Sequence, residues 1–85
     1  MSYTHEIEIG NIRISGEVEL GRTEHNHERC TLVECDSLSI EVEIDLGPNG
    51  EVEVSAILSE VQLENYRMLL VRDFAERNHL EKWVS

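Results

Sequence analysis

The chain is 85 residues long, with 18 acidic against 7 basic residues, a formal net charge of −11 and a pI near 4.6. That length allows one domain, 1–85, and no apolar run approaches the roughly 20 residues needed to span a bilayer. So acidic a chain does not bind nucleic acid directly through a basic patch, and Met1–Glu6 lacks the basic and apolar regions of a secretory signal.

Residues 1–58 read as strands, within 3–58, and residues from about 60 to 78 as one helix, followed by a short C-terminal tail. In the first strand Tyr3, His5, Ile7 and Ile9 share one face and Thr4, Glu6 and Glu8 the other. Gly10-Asn11 is a two-residue hairpin signal. The apolar parity then flips to Ile12, Ile14, Val18 and Leu20, as such a turn requires. This pairs Ile9 with Ile12 and Ile7 with Ile14, and puts Glu8 opposite Arg13. Gly16 interrupts the row and is expected to mark a bulge. Residues 21–29 are polar throughout, a loop or the tip of a second hairpin. A short third strand, 30–35, turns Thr31, Val33 and Cys35 inward.

Asp36-Ser37 reads as a turn with another parity flip. The fourth strand turns Leu38, Ile40, Val42, Ile44 and Leu46 inward and Ser39, Glu41, Glu43 and Asp45 outward. Gly47-Pro48-Asn49-Gly50 is a strong turn signal. A three-residue loop there pairs Gly47 with Glu51, which sets Ile44 beside Val54 and Asp45 opposite Glu53. The helix opens on a capping box, Ser59 with Gln62, flanked by Leu58 and Leu63 at the hydrophobic-staple positions. Leu63, Tyr66, Leu70 and Phe74 recur at helical spacing, widened by Leu69 and Val71. Asn78 is a stop signal. Leu80 and Trp83 are expected to anchor the tail.

The implied fold is α+β: a four- or five-stranded antiparallel meander with one C-terminal amphipathic helix on its inner face. Five strands at about 4.8 Å spacing span roughly 19 Å, whereas a helix with side chains is about 10 Å wide. The tail, a curled sheet, or the second subunit of a homodimer must cover the remaining apolar rows.

The charge is concentrated. Residues 1–58 hold 13 acidic and 3 basic residues, net −10, and residues 59–85 hold 5 and 4, net −1. On the helix, Asp73/Arg77 and Arg72/Glu76 stand at ion-pair spacing. The strand pairing turns Glu6, Glu8, Glu17, Glu19, Glu34, Glu41, Glu43, Asp45, Glu51 and Glu53 outward, with Arg13 the one base among the outward strand positions. Repeats of about 6.7 Å along strands and about 4.8 Å between them make a planar array of negative charge, comparable in spacing to a phosphate lattice. A polar outer face and blocked sheet edges account for part of this, but such faces ordinarily mix Glu with Lys or Arg.

Cys30 and Cys35 lie on one strand with side chains on opposite faces, so free thiols and a reducing cytoplasm are expected. His25, His27, Cys30 and Cys35 fall within eleven residues and are all zinc-ligand types, but their spacing matches no zinc pattern. No metal or other cofactor is therefore expected. Phosphate loop, nucleophile elbow and pocketed carboxylic acid are all missing, so no catalytic role is assigned. His5 reads as a boundary or interface residue and His79 as part of the helix end.

These features point to a non-catalytic protein-binding module that meets a basic protein surface, a nucleic-acid-binding protein among the options. Glu41, Glu43, Asp45 and Glu53 are the first contact candidates, and Glu6, Glu8, Glu17 and Glu19 the second. In size, charge and sheet-plus-helix layout the chain resembles the acidic, phage-encoded inhibitors that mimic DNA, such as uracil-DNA glycosylase inhibitors and some anti-CRISPR proteins. The resemblance includes no shared motif and transfers no site residues. It implies occupation of the nucleic-acid-binding site of a DNA- or RNA-handling protein. The alternative is a structural or assembly subunit that homodimerises or docks through its edge strand, its uncovered apolar face or helix positions such as Val61, Met68 and Ala75.

Overall fold

In the computed structural model, which describes residues 2–85, β1 (Ser2–Ile9) and β2 (Ile12–His25) pair antiparallel in the register expected from the Gly10-Asn11 turn. Gly10 takes φ 61, the left-handed region a first central turn residue needs here. Ile9 faces Ile12, Ile7 faces Ile14 and Glu8 faces Arg13. The polar segment 21–29 is the end of a second hairpin. β3 (Glu28–Cys35) starts two residues earlier than the sequence suggested, and Asn26 (φ 51) and His27 (φ 65) form its two-residue turn. Consecutive positive φ values match a type I′ turn, for which Asn is favoured first and Gly second. At 14 residues β2 is about 46 Å long, which accounts for an elongated molecule of 51 × 24 × 20 Å.

The sheet is not a meander. β4 (Glu41–Asp45) returns to β2, pairing with residues 12–15, while β3 pairs with 18–25 and β1 with 12–19. Because β1 overlaps both, β3 and β4 share the opposite edge of β2, end to end. Continuing the β2–β3 register would put Ser15 opposite Leu38, but Ser15 meets Glu41, so three extra residues are looped out. They form the 3₁₀ turn Ser37–Ser39, capped by the Asp36 side chain, which accepts from Leu38 N–H at 2.9 Å. Leu38, expected inside, is therefore 92% exposed. The turn also satisfies the broken ladder, since Glu17 N–H donates to Ser39 Oγ at 3.2 Å.

β5 (Glu51–Glu53) pairs with β4, but two residues away from the expected register: Asp45 faces Glu51, Ile44 faces Val52 and Glu43 faces Glu53. Leu46 leaves the strand (φ −98, ψ 15), Gly47 turns left-handed (φ 70), and Asp45 Oδ1 accepts from Gly47 N–H at 2.8 Å. The connection thus takes five residues, not three. The tail contains a further strand: β6 (Trp83–Val84) runs parallel to β3, with Trp83 beside Thr31 and Val84 beside Leu32. The sheet is therefore mixed and six-stranded, in the order β5-β4-β2-β3-β6 with β1 also on β2.

α1 (Glu60–Arg77) opens on the predicted capping box, with Ser59 Oγ accepting from Gln62 N–H and Gln62 Oε1 from Ser59 N–H. It ends at Asn78. His79 then adopts φ 57, and Leu80 N–H reaches back to the Ala75 carbonyl at 3.0 Å, a Schellman closure. Leu70, Val71 and Phe74 join Ile7, Ile14, Val18, Val33, Cys35, Ile40 and Val42 in one buried cluster, flanked by Leu58, Leu63, Tyr66, Leu80 and Trp83. Ala75, expected off the main stripe, is fully buried, whereas Val61 is 71% exposed and Met68 half-buried. Gly16 marks no bulge in its own strand: it pairs regularly with His5 and sits beneath Leu70 and Ile40. No helix among the described residues is long and apolar enough to cross a membrane.

Candidate functional site

Strand parity turns ten carboxylates onto one face, and the topology decides which keep their charge uncompensated. Arg13 lies mid-face on β2, with Glu8 directly opposite on β1 and Glu43 directly opposite on β4. Its guanidinium gathers four carboxylates: Glu6 at 2.8 Å, Glu51 at 3.1 Å, and Glu8 and Glu43 at 3.5 Å. The Nε contact with Glu6 is an ion pair without an aligned N–H, whereas Nη1 donates to Glu51 at 3.3 Å. Glu51 is the chief cause that raises the Arg13 pKa above its ordinary value, with Glu6, Glu8 and Glu43 adding to it. Glu43 is itself pushed above the usual carboxylate range, first by its hydrogen bond to Glu51 and then by desolvation and the Glu51 charge, against the pull of Arg13.

Among the first-ranked residues, therefore, only Glu41 is an uncommitted carboxylate. Glu43 belongs to the Arg13 cluster. Asp45 holds the turn after β4, and faces Glu51, not Glu53. Glu53 accepts from both the backbone N–H and the hydroxyl of Ser55. Of the second-ranked set, Glu6 and Glu8 are tied to Arg13, while Glu17 and Glu19 are exposed and have no cationic partner among the described residues.

The carboxylates that form no ion pair include a residue the sequence ranking left out. Glu34 on β3 lies directly opposite Glu19, with Glu17 two positions along β2. A groove of about 380 Å³ opens beside them at the strand break, lined also by Asp36, Ser39 and Arg67, whose guanidinium is held by Glu64 at 2.6 Å. The Asn26-His27 turn was the available signal, because a two-residue turn there forces Glu19 onto Glu34. Glu51 was likewise recognisable as outward but unranked, since its place beside Arg13 depends on the two-residue shift of the β4–β5 register.

The histidines and cysteines do not converge. Cys35 is buried and Cys30 half-buried on the other face, both free thiols, and His25 and His27 are exposed at the hairpin end. Among the described residues no three His, Cys, Asp or Glu side chains are placed to hold a metal ion. Burial raises the Cys35 thiol pKa. His5 ties β1 to the helix: its Nε2 lies 2.8 Å from Asp73 Oδ2, which also accepts from Arg77 Nε at 2.8 Å, and its ring meets Phe74 edge-on at 5.2 Å. Arg72 and Glu76 do not form the ion pair their spacing allows.

No protein-family model, no curated protein and no solved structure matches this chain.

Proposed function

We propose that this chain is a non-catalytic protein-binding module whose acidic sheet face docks on a basic protein surface. In its most concrete form it is a small inhibitor that occupies the nucleic-acid-binding site of a DNA- or RNA-handling protein. The observation that supports this is the group Glu17, Glu19, Glu34 and Glu41, spread over three adjacent strands and forming no ion pair among the described residues; Arg67, the base that lines the groove beside them, is engaged by Glu64 at 2.6 Å. Such a group steers a basic partner from a distance and exchanges its counter-ions for arginine and lysine side chains. The neutral amide variant Glu17→Gln/Glu19→Gln/Glu34→Gln/Glu41→Gln keeps every turn, cap and Arg13 contact.

The test is capture from lysate by the tagged wild-type chain beside this variant, at low and high salt, with elution by an added DNA duplex. A nucleic-acid-handling protein that is released by the duplex and lost with the variant supports the reading. Equal recovery of the same protein by both chains refutes it. A second reading, assembly of two copies, is favoured by exposed apolar side chains around the start of the helix, Ile57 at 82% and Val61 at 71%. Sedimentation over a range of concentrations checks it: a dimer must dissociate in Ile57→Asp/Val61→Asp, and a monomer at all concentrations removes it.

A further inference from the structure

We infer that the open edge of β1 is a second binding surface, built to take an extended segment of a basic partner as an added strand. It goes beyond the acidic-face reading and shares with it only Glu6 and Glu8. Three observations converge. Among the described residues β1 pairs with β2 alone, and its eight residues contain no proline and no bulge; its one edge-guarding device is the charge of Glu6 and Glu8, which repels an acidic strand and admits a basic one. In a two-residue hairpin the residues flanking the turn exchange both backbone hydrogen bonds. Ile9, Ile7 and His5 therefore direct theirs to β2, and Thr4, Glu6 and Glu8 direct N–H and C=O outward to the open edge.

Beneath that edge, on the helix side, runs a groove of about 220 Å³ in which Ile7, Ile9 and Leu69 form an apolar patch beside the charged side chains of Glu8, Arg72, Asp73, Glu76 and Arg77. Ile9 is 49% and Leu69 39% exposed. A strand laid along β1 alternates its side chains between this groove and the outer face. The inner positions over Ile7, Ile9 and Leu69 call for small apolar residues. The outer positions fall beside Glu6 and Glu8, which share the single base Arg13 with Glu43 and Glu51, and that excess of carboxylates calls for lysine or arginine. The same charges select against a second copy of this chain, because β1 of another molecule brings glutamates and no base to that face. The occupant that fits is an extended peptide alternating basic and apolar residues.

The probe is a fluorescent heptapeptide alternating lysine and valine, read by anisotropy, with a block peptide of the same residues and charge as control. The alternating peptide is expected to bind at least about tenfold more tightly than the block peptide. Thr4→Pro removes an outward donor while keeping the β1–β2 ladder and every carboxylate. Leu69→Glu closes the groove from an exposed helix position. Each is expected to weaken the alternating peptide by about tenfold, with the wild-type circular dichroism retained.

Equal binding of the two peptides overturns the inference, as does wild-type binding by both folded variants. A dimer dissolved by Thr4→Pro also overturns it, because it assigns the edge to a second copy. The amide variant at Glu17, Glu19, Glu34 and Glu41 must keep its preference for the alternating peptide, whereas Thr4→Pro must keep its capture of the acidic-face partner. The two proposals therefore fail separately.

Discussion

Gly16 offers the sharpest test of how the helix meets the sheet. A Cβ built there lies 2.9 Å from Ile40 Cδ1, 2.9 Å from Leu70 Cδ2 and 3.2 Å from Cys35 Sγ. Carbon atoms normally rest about 3.5–4.0 Å apart, so Gly16→Ala forces two buried methyl groups to move by more than half an ångström. Burying the new methyl and stiffening the chain favour alanine by about 1–2 kcal/mol. Overpacking a filled core costs about 1–3 kcal/mol, and here three side chains converge on one point, with Leu70 fully buried and Ile40 at 3% exposure. The expected balance is a loss of about 1 kcal/mol, a fall in Tm of about 4–8 °C for a chain of this size. Thermal and urea unfolding followed by circular dichroism measure it. Ile40→Val removes the clashing Cδ1. Alone it should cost about 1 kcal/mol, and in the Gly16→Ala background close to nothing, a coupling of at least about 0.5 kcal/mol. A Tm raised by Gly16→Ala, or additive double-mutant energies, would refute the account of Gly16 as a site without room for a side chain beneath Leu70 and Ile40.

Other perturbations test separate parts of the fold. Burial opposes the Asp73 charge, but hydrogen bonds from His5 and Arg77 outweigh it and hold the Asp73 pKa below its ordinary 3.8. As pH falls below about 4 the unfolded chain takes up that proton first, so stability drops with pH there; urea midpoints between pH 5 and 2.5 should fall less steeply in Asp73→Asn. Glu43 has the opposite sign: Glu51 raises its folded pKa, so stability rises as pH falls through that value. Glu51→Gln should move the Glu43 titration, followed by carboxyl NMR, towards lower pH, and an unchanged titration contradicts the proposed Glu43–Glu51 contact. His79 adopts φ 57, a conformation that costs a side-chain-bearing residue about 1 kcal/mol; His79→Gly should raise Tm by about 4–8 °C. Under native conditions a thiol reagent should modify Cys30 in minutes and Cys35 only on unfolding, because burial suppresses the Cys35 thiolate. Two fast thiols in a stopped assay contradict the buried position.

The parts of the fold readable in the sequence are those set by local chemistry. Gly10-Asn11 with its parity flip dictates the β1–β2 register residue by residue, and Ser59 with Gln62 dictates where the helix begins. The misreadings arose where a side chain competes with the backbone. Asp45 capping Gly47 lengthens the turn and moves β5 by two residues, yet the apolar rows match in either register because a two-residue slip preserves parity. Asp36 does the same before β4: looping out three residues flips the inward parity from Val33 and Cys35 to Ile40 and Val42, and Leu38 shares the parity of the latter, so it looked like part of the strand. β6 is two residues long, too short to show a period. For the acidic face, parity alone gave the outward direction of each carboxylate. It could not rank them, since the neutralising reach of Arg13 depends on β4 and β5 returning to the far edge of β2.

That topology divides the face into two unlike halves. Where β1, β2, β4 and β5 meet, one guanidinium is shared by four carboxylates and links the strands that carry them, against the mutual repulsion of Glu43 and Glu51. Where β2 and β3 meet, Glu19 and Glu34 face each other and neither forms an ion pair, an arrangement that destabilises a sheet by a few tenths to about 1 kcal/mol per pair. A face meant only for water gains nothing from that repulsion, because lysine at either position would solvate as well and attract. A face that meets a basic surface has its repulsion relieved on binding, which adds to affinity what it removes from the free chain. The two accounts therefore predict opposite consequences for one variant. In Glu34→Lys the isolated chain becomes more stable under both, but only a binding face loses its partner as it gains stability.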